Sequence, residues 1–89
     1  MAESKKDASS ATRPLSYHVR DSLDRYFVAL NGSEPPTDLY RMVVEQVEKP
    51  LLESVLSYSE GNQSHAACVL GINRATLRKK LRKYGLDKG

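Results

Sequence analysis

Hydrophobic residues recur every three to four positions along most of the chain, which is the spacing of an amphipathic α-helix. The first stretch with this spacing begins near Pro14, and its apolar positions are Leu15, Val19, Leu23, Tyr26, Phe27 and Leu30. It ends at Asn31 and Gly32, residue types that readily adopt the left-handed conformation found after a helix. The pattern predicts a first helix of about 16 residues, followed by a linker that contains Pro35 and Pro36.

A second and longer apolar stripe predicts a helix from about Asp38 to Ser59, with Thr37 or Asp38 as its N-cap. Pro50 lies in the middle of this helix, where it removes one backbone hydrogen bond, so the helix either ends or kinks there. Because the apolar pattern resumes directly at Leu51, we predict a kink. The stripe is wider than one short chain can cover, and a symmetric homodimer would bury it. The alternative is that the whole stripe belongs to the core of a single chain.

Two short helices separated by a glycine are predicted next, an arrangement typical of a helix-turn-helix. The first is capped by Asn62 or Ser64, a tight turn follows at residues 71–73, and the second helix runs from Arg74 to Tyr84. An ordinary helical hairpin is the alternative. The spacing of small and apolar residues decides between the two.

This spacing fits a helix-turn-helix position by position. With Gln63 as the first residue of the motif, Ala67 falls where the two helices come closest and only a small side chain fits. Gly71 follows four residues later, where the backbone takes a positive φ that glycine adopts at least cost. The residues predicted to fill the pocket between the helices are Ala66, Leu70, Ile72, Leu77 and Leu81. Cys68 is also predicted to be a small core residue.

Charge is distributed unevenly along the 89 residues, whose net charge is +3. Residues 60–89 carry seven basic and two acidic side chains, which gives +5, whereas residues 1–59 carry seven basic and nine acidic ones, which gives −2. A basic segment of this kind is typical either of a solvated surface or of a nucleic-acid interface, and charge alone does not separate the two.

Other classes of function lack the residues that they need. No apolar run approaches the roughly 20 residues of a membrane span, and residues 1–13 form no secretory signal, so we expect a cytoplasmic protein. The same segment is rich in Ser, Ala, Lys and Asp, and is predicted to be a disordered tail. One cysteine and two histidines are too few for a disulfide or a structural zinc site. No catalytic set or phosphate-binding loop occurs, so no enzyme, cofactor or small-molecule substrate is predicted.

Leu77, Leu81 and Tyr84 of the second motif helix face inward. Helical geometry then places Arg78 and Lys80 along the flanks and turns outward Ala75, Thr76, Lys79, Arg82 and Lys83. Arg74 lies at its N-terminal end, the end that reaches base edges when such a helix enters the major groove, and arginine pairs bidentately with guanine. Lys79 is placed to reach a base or a phosphate. Phosphate contacts are predicted from Arg78, Lys80, Arg82 and Lys83, and short polar contacts to the DNA backbone from Asn62, Ser64 and Thr76.

These residues resemble the C-terminal motif of the Fis family, the bacterial factors for inversion stimulation. The motif resemblance rests on residues 61–64 (GNQS), Ala66, Ala67 and residues 71–85 (GINRATLRKKLRKYG). Upstream, residues 21–32 resemble the first helix of the family, and residues 48–52 (EKPLL) resemble its kinked second helix. The resemblance therefore covers residues 14–86. The same motif also ends larger nitrogen-regulator-type activators, but a start at Met1 without an ATPase domain favours a free-standing protein.

The resemblance implies an all-α, four-helix subunit that forms an intertwined homodimer, with dimerisation helices in residues 14–59 and a helix-turn-helix unit in residues 60–89. It also implies a nucleoid-associated protein that bends double-stranded DNA and regulates transcription with degenerate sequence specificity, and that in some members of the family acts as an accessory factor in site-specific recombination. RNA polymerase or a recombinase is the protein partner that such a role implies. The base-reading positions of the family fall on Asn73, Arg74 and Lys79, and its backbone contacts fall on Asn62, Ser64 and Thr76.

Two departures from the family pattern change these expectations. Glu60 and His65 stand where arginines are usual, and an acidic residue at position 60 is expected to weaken contact with flanking DNA. The tail before Pro14 is short and lacks the alternating apolar residues of the family's N-terminal β-hairpin arm, which argues against stimulation of recombination. The remaining alternative function is a protein-interaction module with a vestigial helix-turn-helix, and the intact basic helix argues against it.

Overall fold

The computed structural model describes residues 13–87, and this part of the chain contains four α-helices. They are α1 (Leu15–Leu30), α2 (Leu39–Tyr58), α3 (Gln63–Leu70) and α4 (Arg74–Lys83). The predicted all-α, four-helix subunit is confirmed, while residues 1–12 of the predicted tail lie outside the described residues. None of these four helices is long and apolar enough to cross a membrane. The chain divides between Thr37 and Asp38 into two compact units.

The first unit contains α1, whose 16 residues match the predicted length. Asn31 ends the helix in the left-handed conformation, with φ 52° and ψ 47°, and its backbone N–H donates to the carbonyl oxygen of Val28. The predicted stop signal is therefore confirmed. No residue of α1 is buried, and Leu15 and Val28 are 64% and 78% exposed. Of the six predicted apolar positions of α1, four are partly buried and two, Leu15 and Phe27, are exposed, so the described chain covers this side only in part.

The second unit begins with α2, which runs without a break through Pro50. The alternative of a helix that ends at this proline is therefore wrong. Asp38 is the N-cap residue, but its side chain makes no capping bond and pairs with Arg41 instead. Leu52 is the buried residue of α2, whereas Leu51 beside it is exposed. The helix thus has one side in the core of its own unit and an apolar side that faces away from it.

A tight turn at Glu60 and Gly61 separates α2 from α3. Both residues have a positive φ, 54° and 80°, and the Gly61 N–H donates to a carbonyl oxygen in the last turn of α2. Asn62 then caps α3, because its side-chain oxygen accepts a hydrogen bond from the backbone N–H of His65 at 3.1 Å. Of the two predicted caps Asn62 is right, and Ser64 lies in the first turn of α3.

The hydrophobic core lies where α2, α3 and α4 meet. Its buried members are Leu52, Ala66, Ala67, Leu77 and Leu81. The partly buried residues packed against them include Leu70, Ile72 and Tyr84. All the apolar residues predicted to line the pocket between the motif helices are therefore in this core, and the prediction of that pocket is confirmed.

Cys68 is exposed, so the prediction that it is a core residue is wrong. Successive residues of an α-helix are rotated by about 100°, and the buried arc of α3 extends from Ala66 to Ala67, with Leu70 inside it. Cys68 lies about 100° beyond the Ala67 edge of this arc and therefore faces solvent.

Candidate nucleic-acid interface

Hydrogen bonds at the turn between α3 and α4 fix the start of α4. Gly71 takes the left-handed conformation with a φ of 77°, and its N–H donates to the carbonyl oxygen of Ala67 at 2.9 Å. Asn73 caps α4, because its side-chain oxygen accepts a hydrogen bond from the backbone N–H of Thr76 at 2.8 Å. Arg74 is therefore the first residue of α4, as the sequence predicts.

α4 has an apolar side and a basic side. Leu77 and Leu81 are 0% exposed and anchor the helix in the core. Ala75 and Lys79 lie on the opposite, exposed side. Because alanine is small, a polyanion can approach the backbone of α4 closely at this point. The outward side of α4 is thus both charged and accessible.

Three arginines form a continuous strip along α4. Arg74, Arg78 and Arg82 are spaced by four residues, so they follow one another on one face of the helix. All three are exposed, and within residues 13–87 none of them is paired with a carboxylate. This arginine strip lines a polar groove, whose other lining residues are Gly61, Gln63 and Asp87. The strip therefore offers guanidinium groups for charge-assisted hydrogen bonds to anions.

The other flank of α4 is ion-paired with α2. Lys80 Nζ lies 2.6 Å from Glu48 Oε2, and Lys83 Nζ lies 3.0 Å from Glu45 Oε2. Both lysines are predicted phosphate contacts, yet in the protein without DNA their ammonium groups face carboxylates. The basic residues of α4 therefore divide into two lysines engaged by α2 and four residues without an ion pair in the described part of the chain.

Glu48 is the centre of the contact between α2 and α4. Its two carboxylate oxygens accept hydrogen bonds from the Lys80 ammonium and from the Tyr84 hydroxyl, each at 2.6 Å. The bond from Lys80 and the bond from Tyr84 lower the pKa of Glu48 below its ordinary value, because both stabilise the carboxylate. The same carboxylate raises the pKa of Tyr84 to about 12, because it favours the protonated phenol that donates to it.

The remaining predicted contact residues lie at the starts of the two motif helices. Asn62 and Asn73 use their side-chain oxygens as helix caps, which leaves the amide nitrogens to donate hydrogen bonds. Ser64 is exposed in the first turn of α3, and Thr76 is half-buried in the first turn of α4. Their contacts with DNA stay a prediction.

Sequence reasoning missed the role of Glu45 and Glu48, although a signal for it was present. The two glutamates are three residues apart on α2, and Lys80 and Lys83 are three residues apart on α4. Residues with this spacing share one face of a helix, so two complementary charge pairs can form between the helices. The pattern is a weak predictor by itself, since it does not show that the two faces meet.

The sequence is similar to a family of bacterial regulatory proteins. A family model described as "Bacterial regulatory protein, Fis family" matches residues 43–84. The chain is 49% identical over 79 residues to the DNA-binding protein Fis of Mannheimia haemolytica, a match that covers 89% of this chain and 80% of the relative. It is 53% identical over 74 residues to the DNA-binding protein Fis of Psychromonas ingrahamii, which covers 83% of this chain and 74% of the relative.

Proposed function

The chain belongs to the Fis family of bacterial regulatory proteins, and from this membership we propose that it binds double-stranded DNA with α4 in the major groove. One observation carries the proposal: α4 is anchored in the core by Leu77 and Leu81, while the exposed arginine strip runs along one flank of the helix. The major groove admits an α-helix, and the N-terminal residues of a recognition helix are the ones that reach base edges. The relatives named above are described as DNA-binding proteins, which supports the same function here.

Base contacts are proposed for Asn73, Arg74 and Lys79. The Arg74 guanidinium has the geometry to pair with O6 and N7 of guanine, and the amide nitrogen of Asn73 can donate to a base acceptor. Contacts to the DNA backbone are proposed for Asn62, Ser64, Thr76, Arg78, Lys80, Arg82 and Lys83. Lys83 would exchange its carboxylate partner on α2 for a phosphate when DNA binds, whereas Lys80 would donate a second N–H of its ammonium to a phosphate while it stays bound to Glu48.

We propose that the protein acts as a homodimer formed by its first two helices. α1 has no buried residue, and Val44 and Leu51 of α2 are 40% and 47% exposed. Val44 and Leu51 are seven residues apart and share one face of α2, and an exposed apolar face of this kind on a soluble domain is typical of a protein interface. A second copy of the chain would cover this surface and would present two recognition helices to two half-sites on DNA.

Light scattering at micromolar concentration is expected to give twice the 10.0 kDa mass of one chain. Leu51→Lys is expected to shift the protein towards the monomer, because it places a charge in the proposed interface. Glu53→Lys is the matched control on the same helix, since Glu53 is a polar residue that is already exposed. A helical protein that stays monomeric without any substitution would refute the dimer.

The proposed mode of recognition combines few base contacts with bending of the DNA. Each protomer offers only Asn73, Arg74 and Lys79 to base edges, which is too little for stringent readout. In an intertwined Fis-like dimer the two recognition helices lie closer together than one turn of straight DNA, so the duplex must curve before both can engage. Sequences that narrow their minor groove easily are then favoured at the centre of the site, with a bending cost of about 1–6 kcal/mol.

A circular-permutation gel series with A·T-rich and G·C-rich centres between identical half-sites tests this mode. We expect tighter binding to the A·T-rich centre and a mobility that depends on the position of the site. Equal affinity for both centres, together with a mobility that does not vary, would refute bending.

Glu60 is exposed in the turn before α3, so its negative charge is expected to reduce wrapping of the flanking DNA.

A dimer that bends DNA with degenerate specificity fits a nucleoid-associated regulator of transcription. We propose this role for the protein, with localisation on the cytoplasmic nucleoid. RNA polymerase is the proposed partner at promoters.

A further inference from the structure

Glu48 links α2 to α4 by two hydrogen bonds. We propose that Glu48 is a positioning residue that holds the recognition helix at the orientation in which Arg74 reads bases. The proposal rests on the proposed DNA-binding function. Glu48 belongs to α2 and lies outside the helix-turn-helix. In this proposal it nevertheless affects how well α4 distinguishes one DNA sequence from another.

The geometry of Glu48 suits this role because one carboxylate holds α4 at two points. Lys80 and Tyr84 are one turn apart on α4, and each donates to a different oxygen of Glu48 at 2.6 Å. The side chain of Glu48 is 19% exposed, so the contact is partly shielded from water. Packing of Leu77 and Leu81 is non-directional and allows α4 to rotate slightly, whereas hydrogen bonds depend on angle. The two bonds to Glu48 therefore restrict the rotation of α4 about its own axis.

Glu48 contacts α4 on the side away from the arginine strip. Lys80 is rotated by about 200° from Arg78, and Tyr84 by the same angle from Arg82. Glu48 therefore acts on base readout through the orientation of the helix. Arg74 lies six residues before Lys80, or about 9 Å along the helix axis. A small tilt at the C-terminal end of α4 therefore moves the Arg74 guanidinium relative to the bases.

The competing interpretation is that Glu48 only neutralises Lys80. Removal of the carboxylate would then release one cation and strengthen binding to every sequence by the same factor. A positioning role makes a different prediction, because misorientation of α4 weakens base contacts and leaves phosphate contacts largely intact. The two interpretations are separated by the ratio of the affinities for a preferred duplex and a random duplex.

The experiment compares Glu48→Gln with Glu53→Gln on a duplex selected from a random pool by the unsubstituted protein, and on an unselected duplex, at one salt concentration. Glu53 is exposed on the same helix and makes no ion pair within residues 13–87, so both variants lose one negative charge. Glu53→Gln is expected to leave the affinity ratio unchanged. Glu48→Gln is expected to lower it about fivefold, through loss of the charged acceptor for two hydrogen bonds.

Further measurements separate positioning from loss of structure. Tyr84→Phe keeps the aromatic ring and the Lys80–Glu48 ion pair but removes one hydrogen bond to Glu48. It should therefore lower the affinity ratio, but by less than Glu48→Gln does. In the titration of tyrosine absorbance, Tyr84 should titrate at a lower pH in Glu48→Gln than in the unsubstituted protein, because the carboxylate that raises its pKa is gone. Circular dichroism at neutral pH shows whether the variant is folded. An affinity ratio in Glu48→Gln equal to that in Glu53→Gln would overturn the positioning role. Failure of the unsubstituted protein to bind any duplex would instead overturn the proposed function.

Discussion

Arg74→Ala is expected to weaken binding to a preferred duplex by about 1–3 kcal/mol, or about 5- to 150-fold, and to reduce sequence preference. Arg74 is the first residue of α4 and has no carboxylate partner in the described residues, so its guanidinium is available to pair with guanine. Binding to random duplexes should change much less, because those complexes depend on phosphate contacts. Fluorescence anisotropy with one selected and one random duplex measures both effects.

Arg82→Ala is the control for this prediction. Arg82 belongs to the same exposed strip, but it lies two turns further along α4 and is expected to contact phosphate. Its loss should weaken binding to all sequences alike and make the slope of log affinity against log salt shallower by about 1.8, because the proposed dimer loses two phosphate contacts. Lys83 is a poorer control, because Glu45 already binds its ammonium group in the protein without DNA. Equal losses on selected and random DNA for both variants would show that Arg74 reads no base.

Leu81→Ala is expected to destabilise the unit formed by α2, α3 and α4 by about 2–5 kcal/mol. Leu81 is 0% exposed, and truncation leaves a cavity between the recognition helix and the helices that support it. Urea unfolding followed by circular dichroism measures the change. Val69→Ala on α3 is the matched control, because Val69 is 48% exposed and its truncation should have a small effect. Comparable losses in the two variants would contradict the assignment of the core.

The ends of the helices and the core of the motif could be predicted from sequence because local signals determine them. The stop at Asn31 and the turn at Gly71 both depend on left-handed backbone conformations that few residue types adopt easily. The buried positions of α3 and α4 follow from helical spacing once the two helices are placed. The prediction for Cys68 was wrong because helical spacing does not show where the buried arc of α3 ends. Cys68 lies just outside that arc.

The contact of Glu48 with α4 could not be predicted in this way. Glu48 is 32 residues from Lys80 and 36 from Tyr84, so the contact depends on how α2 packs against the motif. Periodicity gives the faces of each helix but does not give the rotation of one helix against another. The same reason explains why the sequence predicts Lys80 and Lys83 as phosphate contacts without distinguishing them from the arginine strip.

The dependence of DNA affinity on salt tests the proposed function most directly, because it separates a phosphate-binding interface from a vestigial motif. We expect the logarithm of the association constant to fall linearly with the logarithm of salt concentration. If Arg78 and Arg82 of each protomer contact phosphates in a dimer, the slope should be at least as steep as about −3.6. Absence of binding to duplex DNA, or an affinity that does not change with salt, would contradict the assignment of α4 as a DNA-recognition helix.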